Sequence, residues 1–180
     1  MKAIFYTLVL GIVLSSCQSV KFNRYPGEAL PEFPENFRGK YTSINKNTFG
    51  TDTVSVWIAT NAYTIFNAKE TTIDFLDSLH VFSKYQKNYF LFVKENEYWS
   101  GFAVARTKKG MEIIPFAIPA SSDSVKVKKS LSKYFTNVFC IPSTNKIEGE
   151  TYFADMNEKS LLKYIRKNKR YKMNLIQDKE

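Results

Sequence analysis

The segment 79-LHVFSKYQKNYFLFVKENEYWSGFAVARTKKGMEIIPFAI-118 decides the fold class of this chain. It contains four runs of apolar and aromatic residues, at 79–85, 89–94, 98–105 and 111–118. The polar connections between the runs are three to five residues long, a length that suits hairpins better than crossover helices. The segment therefore predicts an antiparallel meander.

The residues that precede the meander predict further strands. From 53 to 59 apolar and polar residues alternate, with Val54, Val56 and Ile58 on one face. This period-2 pattern is typical of a half-buried strand. Residues 62–67 continue that strand or form its hairpin partner.

After the meander the period changes and predicts a first helix. Apolar residues from Val127 to Val138 recur at helical spacing, and lysines lie on the opposite face. Residues 121–123 offer a start signal, although a strand over residues 124–127 also fits. A short run at 171–176 predicts a last strand.

Composition agrees with a mainly β domain. The hydrophobic fraction of 44% argues against disorder, and the aromatic fraction of 16% favours strands. We therefore expect an α+β fold that is predominantly antiparallel β. It is expected to form a meander sheet or a small barrel, with two α-helices late in the chain.

The first seventeen residues have the layout of a cleaved secretory signal. Lys2 precedes an apolar run at 3–14, and the small residues Ser15 and Ser16 stand directly before Cys17. The twelve residues of this run at ~1.5 Å rise span about 18 Å, which is too short for the ~30 Å hydrocarbon core of a bilayer. The segment resembles the lipobox signal of bacterial lipoproteins.

This resemblance implies cleavage between Ser16 and Cys17 and attachment of acyl chains such as palmitate to Cys17. Two or more acyl chains hold a protein stably on a membrane. The implied location is the bacterial cell envelope, and Gln18, in place of an inner-membrane-retaining Asp, favours the outer membrane. Membrane lipid and envelope proteins are then the expected partners, and nucleic acid is not.

Three parts are predicted along the chain. Residues 1–16 are the signal peptide, residues 17–36 are the lipidated cysteine with a tether, and residues 37–177 are a single β-rich domain. The tether is predicted because residues 17–36 hold three of the six prolines. Proline-rich chain is extended by ~3.1 Å per residue, so such a tether would reach on the order of 50 Å.

A second helix is predicted after Asp155, because Asp155 and Glu158 have the spacing of a capping box. Removal of Lys2 with the signal lowers the net charge from +9 to +8, and this helix carries a basic stripe within about 60° of arc at 100° per residue. The stripe consists of Lys159, Lys163, Arg166 and Arg170. It predicts contact with anionic lipid or another envelope polymer at about 1 kcal/mol per charge, or else a solvated helix face.

The sequence shows no catalytic, cofactor-binding or metal-binding constellation. His80 is the only histidine, so sites that need several histidines are excluded. It is interpreted as a base oriented by Asp74 or Asp77, or as an ordinary histidine on the polar face of a strand. Cys140 lies in an apolar context and is predicted to be a buried, inert thiol. We expect no enzyme, no cofactor and no metal.

Gly39-Lys40-Tyr41 resembles the Gly-x-Trp start of lipocalins, with Tyr41 in place of Trp and no Thr-Asp-Tyr element downstream. The resemblance implies a barrel that holds a small apolar ligand. A strand-opening turn with a buried aromatic ring is the other interpretation. The sequence therefore predicts a non-catalytic binding or scaffolding role at the membrane, with a lipocalin-like carrier as the alternative.

Overall fold

The computed structural model describes residues 17–47, 50–66, 71–119, 123–141, 150–168 and 172–178. Two α-helices lie late in the chain, α1 (Ser124–Leu131) and α2 (Glu158–Asn168), and one 3-10 turn covers Glu35–Phe37. The strands are β1 (Cys17–Phe22), β2 (Glu28–Leu30), β3 (Gly39–Asn47), β4 (Gly50–Ile58), β5 (Ala62–Phe66), β6 (Thr71–Phe75), β7 (His80–Tyr85), β8 (Asn88–Glu95), β9 (Tyr98–Arg106), β10 (Gly110–Pro115), β11 (Ala117–Pro119), β12 (Thr136–Ile141), β13 (Thr151–Asp155) and β14 (Met173–Gln177).

The strands form one curled, predominantly antiparallel sheet, a half-barrel, so the predicted fold class is confirmed. Its main path runs β12-β13-β1-β9-β10-β14-β3-β4-β5-β6. Strands β8, β7 and β2 extend from the other edge of β9, and β11 pairs with β1. Among the strand pairs of the described residues, β1–β13 alone is parallel.

The predicted meander is present as β7 to β10. Two-residue turns join β7 to β8 and β8 to β9, and each begins with a residue of positive φ, Gln86 at 57° and Asn96 at 56°. Positive φ gives a hairpin turn the twist that matches its strands. The predicted hairpin upstream is also confirmed, because β4 pairs with β5.

Alternation along the meander creates two apolar cores. On β8, Phe90 and Phe92 enter a core that both helices cover, which we call the helix-covered core. Leu91 points to the other face and enters the half-barrel core, enclosed by the curl of the sheet. Successive side chains of a strand point to opposite faces, so one meander supplies both cores.

The first helix is shorter than predicted, because α1 ends at Leu131 and Val138 lies in β12. The start signal is confirmed, since the carboxylate of Asp123 accepts a hydrogen bond from the N–H of Lys126 at 3.1 Å. Residues from Thr136 onward pair with β13 instead of extending the helix. Backbone pairing with a remote strand thus overrides the helical spacing of the apolar residues.

The second helix is confirmed, but its predicted cap is wrong. Asn157 caps α2, because its Oδ1 accepts a hydrogen bond from the N–H of Ser160 at 3.0 Å. Asp155 instead accepts side-chain hydrogen bonds from Asn23 and Asn137. The predicted last strand is also present, as β14.

The predicted tether at 17–36 is wrong, because these residues belong to the sheet and its cores. β1 pairs with β13 on one edge and with β9 and β11 on the other, and β2 pairs with β7. Val20, Phe22 and Phe33 are buried. Their burial removes apolar surface from water, at about 25 cal/mol per Å², which outweighs the extended preference of nearby prolines. The folded body therefore includes residues 17–36.

The predicted signal peptide, residues 1–16, lies outside the described residues. Among the helices that are described, none combines the length and the apolar character required to cross a membrane.

Candidate functional site

The half-barrel core contains a cavity whose described lining is entirely apolar in side-chain surface. The centre of a water-sized sphere can move through ≈ 40 Å³ of this space, whereas one water requires about 10–15 Å³ by the same measure. The lining residues are Phe33, Phe37, Val54, Val56, Ile58, Tyr63, Ile65, Phe82, Leu91, Phe102, Val104, Met111, Ile113, Met173 and Leu175.

Register between the meander strands builds one wall of the cavity. Phe82 stands opposite Leu91 in the β7–β8 pair, and Leu91 stands opposite Phe102 in the β8–β9 pair. Directly opposed residues place their side chains on the same face, so the three side chains form a continuous apolar row. Val104 and Ile113 extend the wall across β9–β10 in the same way.

Residues 33–37, which we call the stopper segment, cover the space between β5 and β7. The N–H of Phe33 donates a hydrogen bond to the carbonyl of Thr60 at 2.7 Å. The ring of Phe33 lies 4.7 Å from that of Phe82 and 6.1 Å from that of Tyr63, between centroids. At the other end of the segment, the hydroxyl of Tyr41 donates to the carbonyl of Phe37 at 2.8 Å.

Tyr41 shows where Gly39-Lys40-Tyr41 lies in the fold. The tyrosine is fully buried in the half-barrel core at the start of β3. The interpretation as a strand opening with a buried aromatic ring is therefore confirmed. The hydrogen bond from its hydroxyl to Phe37 fixes one end of the stopper segment.

A polar cluster stands beside the cavity wall at Tyr63. The sequence offered Asp74 and Asp77 as partners of His80, and the structure brings all three together. His80 Nδ1 lies 3.3 Å from Asp77 Oδ1, and His80 Nε2 lies 3.6 Å from Asp74 Oδ1. The rings of Tyr63 and His80 are 6.5 Å apart between centroids. Tyr63 thus belongs both to the apolar lining and to the polar cluster.

The two carboxyl groups of this cluster have opposite pKa shifts. Burial raises the pKa of Asp74, although the charge of His80 and the phenol of Tyr63 act against this. Burial alone would also raise the pKa of Asp77, but hydrogen bonds from the backbone N–H groups of Leu79 and His80 lower it below its usual value. Asp74 therefore holds a proton more readily than Asp77, and the cluster can donate or accept a hydrogen bond beside Tyr63.

The predicted lipidation residue, Cys17, is the first residue of β1, with its backbone opposite Pro119 of β11. Ser16, the other residue of the predicted cleavage site, lies outside the described residues. No residue of β1 contributes to the lining of the cavity.

The predicted basic stripe lies partly on α2. Lys159, Lys163 and Arg166 are exposed, while Arg170 lies outside the described residues. The buried side of the same helix consists of Leu161, Tyr164 and Ile165 in the helix-covered core. The three exposed cations form no salt bridge with any acidic residue of the described ranges.

Cys140 is a free cysteine that is partly buried in β12. Burial and the carboxylate of Glu150 raise the pKa of the thiol. Tyr152, fully buried opposite Cys140, donates its hydroxyl hydrogen bond to Glu150. A thiol whose pKa is raised is a poor nucleophile, which fits the predicted structural role.

One surface was not predicted from the sequence. Four large apolar side chains are exposed on the outer face of strands β4 to β6: Trp57, Phe66, Ile73 and Phe75. Alternation places Trp57 and Phe66 on the face opposite to the cavity-lining residues of β4 and β5. Strand pairing places Ile73 and Phe75 of β6 on the same outer face. In the sequence, apolar residues on both faces of these strands are the pattern that would have indicated this surface.

Within the ranges that the structure describes, no three His, Cys, Asp or Glu side chains are grouped so that they could hold a metal ion. In comparisons with known proteins, the chain matches no protein-family model, no curated protein and no solved structure. The candidate site therefore rests on its own geometry: an apolar cavity with a polar cluster at one side.

Proposed function

We propose that this protein is a lipid-anchored binding protein of the bacterial cell envelope that holds one small apolar molecule in the half-barrel. The observation that carries the proposal is the cavity, since its lining offers ≈ 40 Å³ of space and only apolar surface. Water gains no hydrogen bonds in such a space, and apolar cavities in proteins stay dry and bind apolar molecules. No catalytic step is part of the proposal.

The cavity favours a slender ligand with one polar end. Its volume suits an alkyl chain or a small ring better than a bulky polycyclic molecule. Tyr63 joins the apolar lining to the cluster of Asp74 and His80, so a hydroxyl or amine group at the end of the chain would find hydrogen-bond partners there. An amphipathic ligand of this kind is abundant at a membrane.

A series of n-alkanols of increasing chain length tests this function on the full-length protein in detergent. Each buried CH₂ contributes about 0.8 kcal/mol, so the affinity should rise about fourfold per methylene. The rise should stop when the chain fills the cavity. Titration calorimetry measures this directly, and an affinity that does not depend on chain length would contradict the proposal.

A matched pair of variants separates cavity binding from adsorption to other apolar surface. Val54→Ile/Val104→Ile adds methyl groups to the cavity lining, whereas Val20→Ile/Val81→Ile adds the same groups to the helix-covered core. In the first variant, the affinity should stop rising at a shorter alkanol than in the parent protein. The second should leave the end point unchanged.

The anchor itself rests on the resemblance of the first seventeen residues to a lipobox signal. Expression in a bacterium that modifies lipoproteins, followed by mass spectrometry of the N-terminal peptide, should find acyl chains on Cys17. Cys17→Ser should abolish the modification and move the protein out of the membrane fraction. A membrane-bound Cys17→Ser protein would contradict the proposed anchor.

The scaffold prediction has an observation of its own, the exposed apolar side chains of β4 to β6. Trp57 stands opposite Thr64, and Thr64 opposite Ile73, so Trp57 and Ile73 lie on the same face of the three strands. In the described part of the chain no strand covers the outer edge of β6. An open edge with apolar side chains is suited to adding a strand from another protein.

A photo-crosslinking residue at position 73 in living cells tests the scaffold role. Ile73 is 60% exposed, and it should give one discrete crosslinked envelope protein. The crosslink should disappear in Trp57→Ser, which removes apolar surface beside it. Diffuse or absent crosslinks would leave only the ligand-binding proposal.

A further inference from the structure

A lipid on Cys17 would leave no spacer between the bilayer and the folded domain. Cys17 stands opposite Pro119 in the β1–β11 pair, and two residues later Ser19 pairs with both Ala117 and Thr151. The domain could move away from the membrane only by breaking these backbone pairs. The end of β1 at Cys17 must therefore face the lipid head groups.

Two elements lie near this end of β1. α1 begins five residues after Pro119, which limits the distance to about 18 Å even in a fully extended chain. Ile141, the last residue of β12, is opposite Thr151, and Thr151 is opposite Ser19. Because neighbouring strands are about 4.8 Å apart, the backbone of Ile141 lies about 10 Å from that of Ser19.

Both elements expose the side chains that a membrane surface accepts. Val125 on α1 is 75% exposed, and Ile141 is 53% exposed. Three exposed lysines follow on α1, namely Lys126, Lys128 and Lys129. Apolar side chains beside basic ones are typical of surfaces that lie in the head-group region of anionic lipid.

The lysines of α1 lie on the side of the domain that β12 occupies. α1 packs against β12, and the charge of Lys128 acts on the thiol of Cys140. Cys140 is opposite Tyr152, which in turn is opposite Val20 of β1. The acidic cap of the helix, Asp123, pairs with Lys126 at 3.1 Å, which leaves the other two lysines to give the face its positive charge.

The basic stripe of α2 begins at the other end of β1. Arg24, two residues after the end of β1, forms a salt bridge with Glu158, the first residue of α2. Six extended residues separate the ends of β1 by about 16 Å. The start of α2 therefore lies at the end of β1 opposite to the anchor, about 16 Å away along the strand.

We propose that α1 and the end of β12 form the face of this protein that lies on anionic lipid, with Val125 and Ile141 at the head groups. The first cation of the α2 stripe, Lys159, directly follows Glu158 and so lies at the end of β1 opposite to the anchor. This orientation rests on the proposed anchor at Cys17, and it assigns the lipid contact to a helix other than the one that the charge pattern of the sequence favoured.

The orientation is tested with the full-length lipidated protein in vesicles of phosphatidylethanolamine and phosphatidylglycerol that contain a head-group nitroxide lipid. Bimane is attached at Val125→Cys in a Cys140→Ser background, and the matched control carries it at Ile73→Cys on β6. We expect the nitroxide to quench the fluorescence of bimane at position 125 and not at position 73. Equal quenching at both positions, or quenching at 73 alone, would overturn the orientation.

Charge reversal provides a second, independent measurement. Lys128→Glu/Lys129→Glu should reduce the quenching at position 125, whereas the matched control Lys159→Glu/Lys163→Glu should leave it unchanged. Circular dichroism of both variants checks that they are folded. A loss of quenching in the α2 variant alone would show that α2 is the lipid-facing helix and overturn the proposal.

Failure of the orientation is distinguishable from failure of the anchor. Mass spectrometry of the same preparations reports whether Cys17 carries acyl chains. An unmodified Cys17 in a soluble protein would overturn both proposals. A lipidated Cys17 without quenching at position 125 would overturn the orientation alone.

Discussion

Among single residues, the polar cluster beside the cavity combines two carboxyl groups whose pKa values are shifted in opposite directions. The folded protein favours the protonated form of Asp74, so its contribution to stability is present at pH values below the unfolded value of 3.8 and is lost as pH rises through the raised pKa. Asp77 has a lowered pKa, so its contribution is present above 3.8 and is lost as pH falls.

These signs predict opposite effects of the two Asp→Asn substitutions. Asp74→Asn should raise the melting temperature at pH 7, because it removes a half-buried charge, and the gain should vanish near pH 3.8. Asp77→Asn should lower the melting temperature at pH 7, and the loss should shrink on acidification. Thermal unfolding of both variants and the parent across this pH range provides the measurement, and parallel pH profiles for the two variants would contradict the assignment.

At the same scale, the sequence identified the members of the cluster but not their arrangement. Asp74 and Asp77 are near His80 in the chain, so a local contact is expected. Tyr63 enters the cluster only because β5 pairs with β6, which places Tyr63 opposite Asp74. The link between the cluster and the cavity therefore depends on strand register, which period-2 patterns alone do not specify.

At the scale of elements, β1 shows how burial changes the role of a segment. Phe22 is fully buried and makes edge-to-face contacts with Phe92, Phe116 and Phe135, at centroid distances of 6.4, 5.7 and 5.1 Å. A tether would leave this ring in water. The contacts make β1 part of the helix-covered core.

Phe22→Ala should therefore lower the free energy of unfolding by about 3–5 kcal/mol, the usual cost of removing a buried aromatic ring. The exposed residue Glu28 in the same predicted tether provides the control, and Glu28→Ala should change stability by less than about 0.5 kcal/mol. Urea denaturation measures both. Equal, small effects would show that β1 does not belong to the folded core.

The N-terminus of α2 provides a second prediction at this scale. Asn157→Ala should lower the free energy of unfolding by about 1 kcal/mol, because it removes the side-chain oxygen that caps the helix. Asn157→Asp keeps an acceptor at the same position and should retain stability. Substitution of Asp155, the cap that the sequence predicted, affects contacts with Asn23 and Asn137 instead.

Most of the strands that the sequence predicted pair with neighbours in the chain, and β14, which pairs with β10 and β3, is the exception. The strands β7 to β10 pair with their sequence neighbours through short turns. β1 and β13 were not predicted, and their paired residues Ser19 and Thr151 are 132 residues apart. Nothing local distinguishes such a strand from an extended linker, because its stability comes from remote partners.

At the scale of the whole molecule, the two cores differ in packing, and the difference is measurable. Val54→Ile/Val104→Ile places two methyl groups in the cavity and should stabilise the ligand-free protein, by up to about 0.8 kcal/mol for each buried group. Val20→Ile/Val81→Ile makes the same change in the helix-covered core and should destabilise it by about 1–3 kcal/mol through overpacking. Chemical denaturation of the two variants decides this, and destabilisation of equal size in both would contradict the presence of a cavity.

The amino-acid sequence was sufficient to predict the β-rich class, the meander, the two late helices and the resemblance to a lipobox signal, because each depends on residues that are neighbours in the chain. Tertiary structure was needed to show that residues 17–36 are folded, that the half-barrel contains an apolar cavity, and that Cys17 begins a strand of the sheet. These features depend on pairing and packing between residues far apart in the chain. Periodicity reports which face of a strand is apolar, but the curl of the sheet decides whether that face is filled or encloses a space.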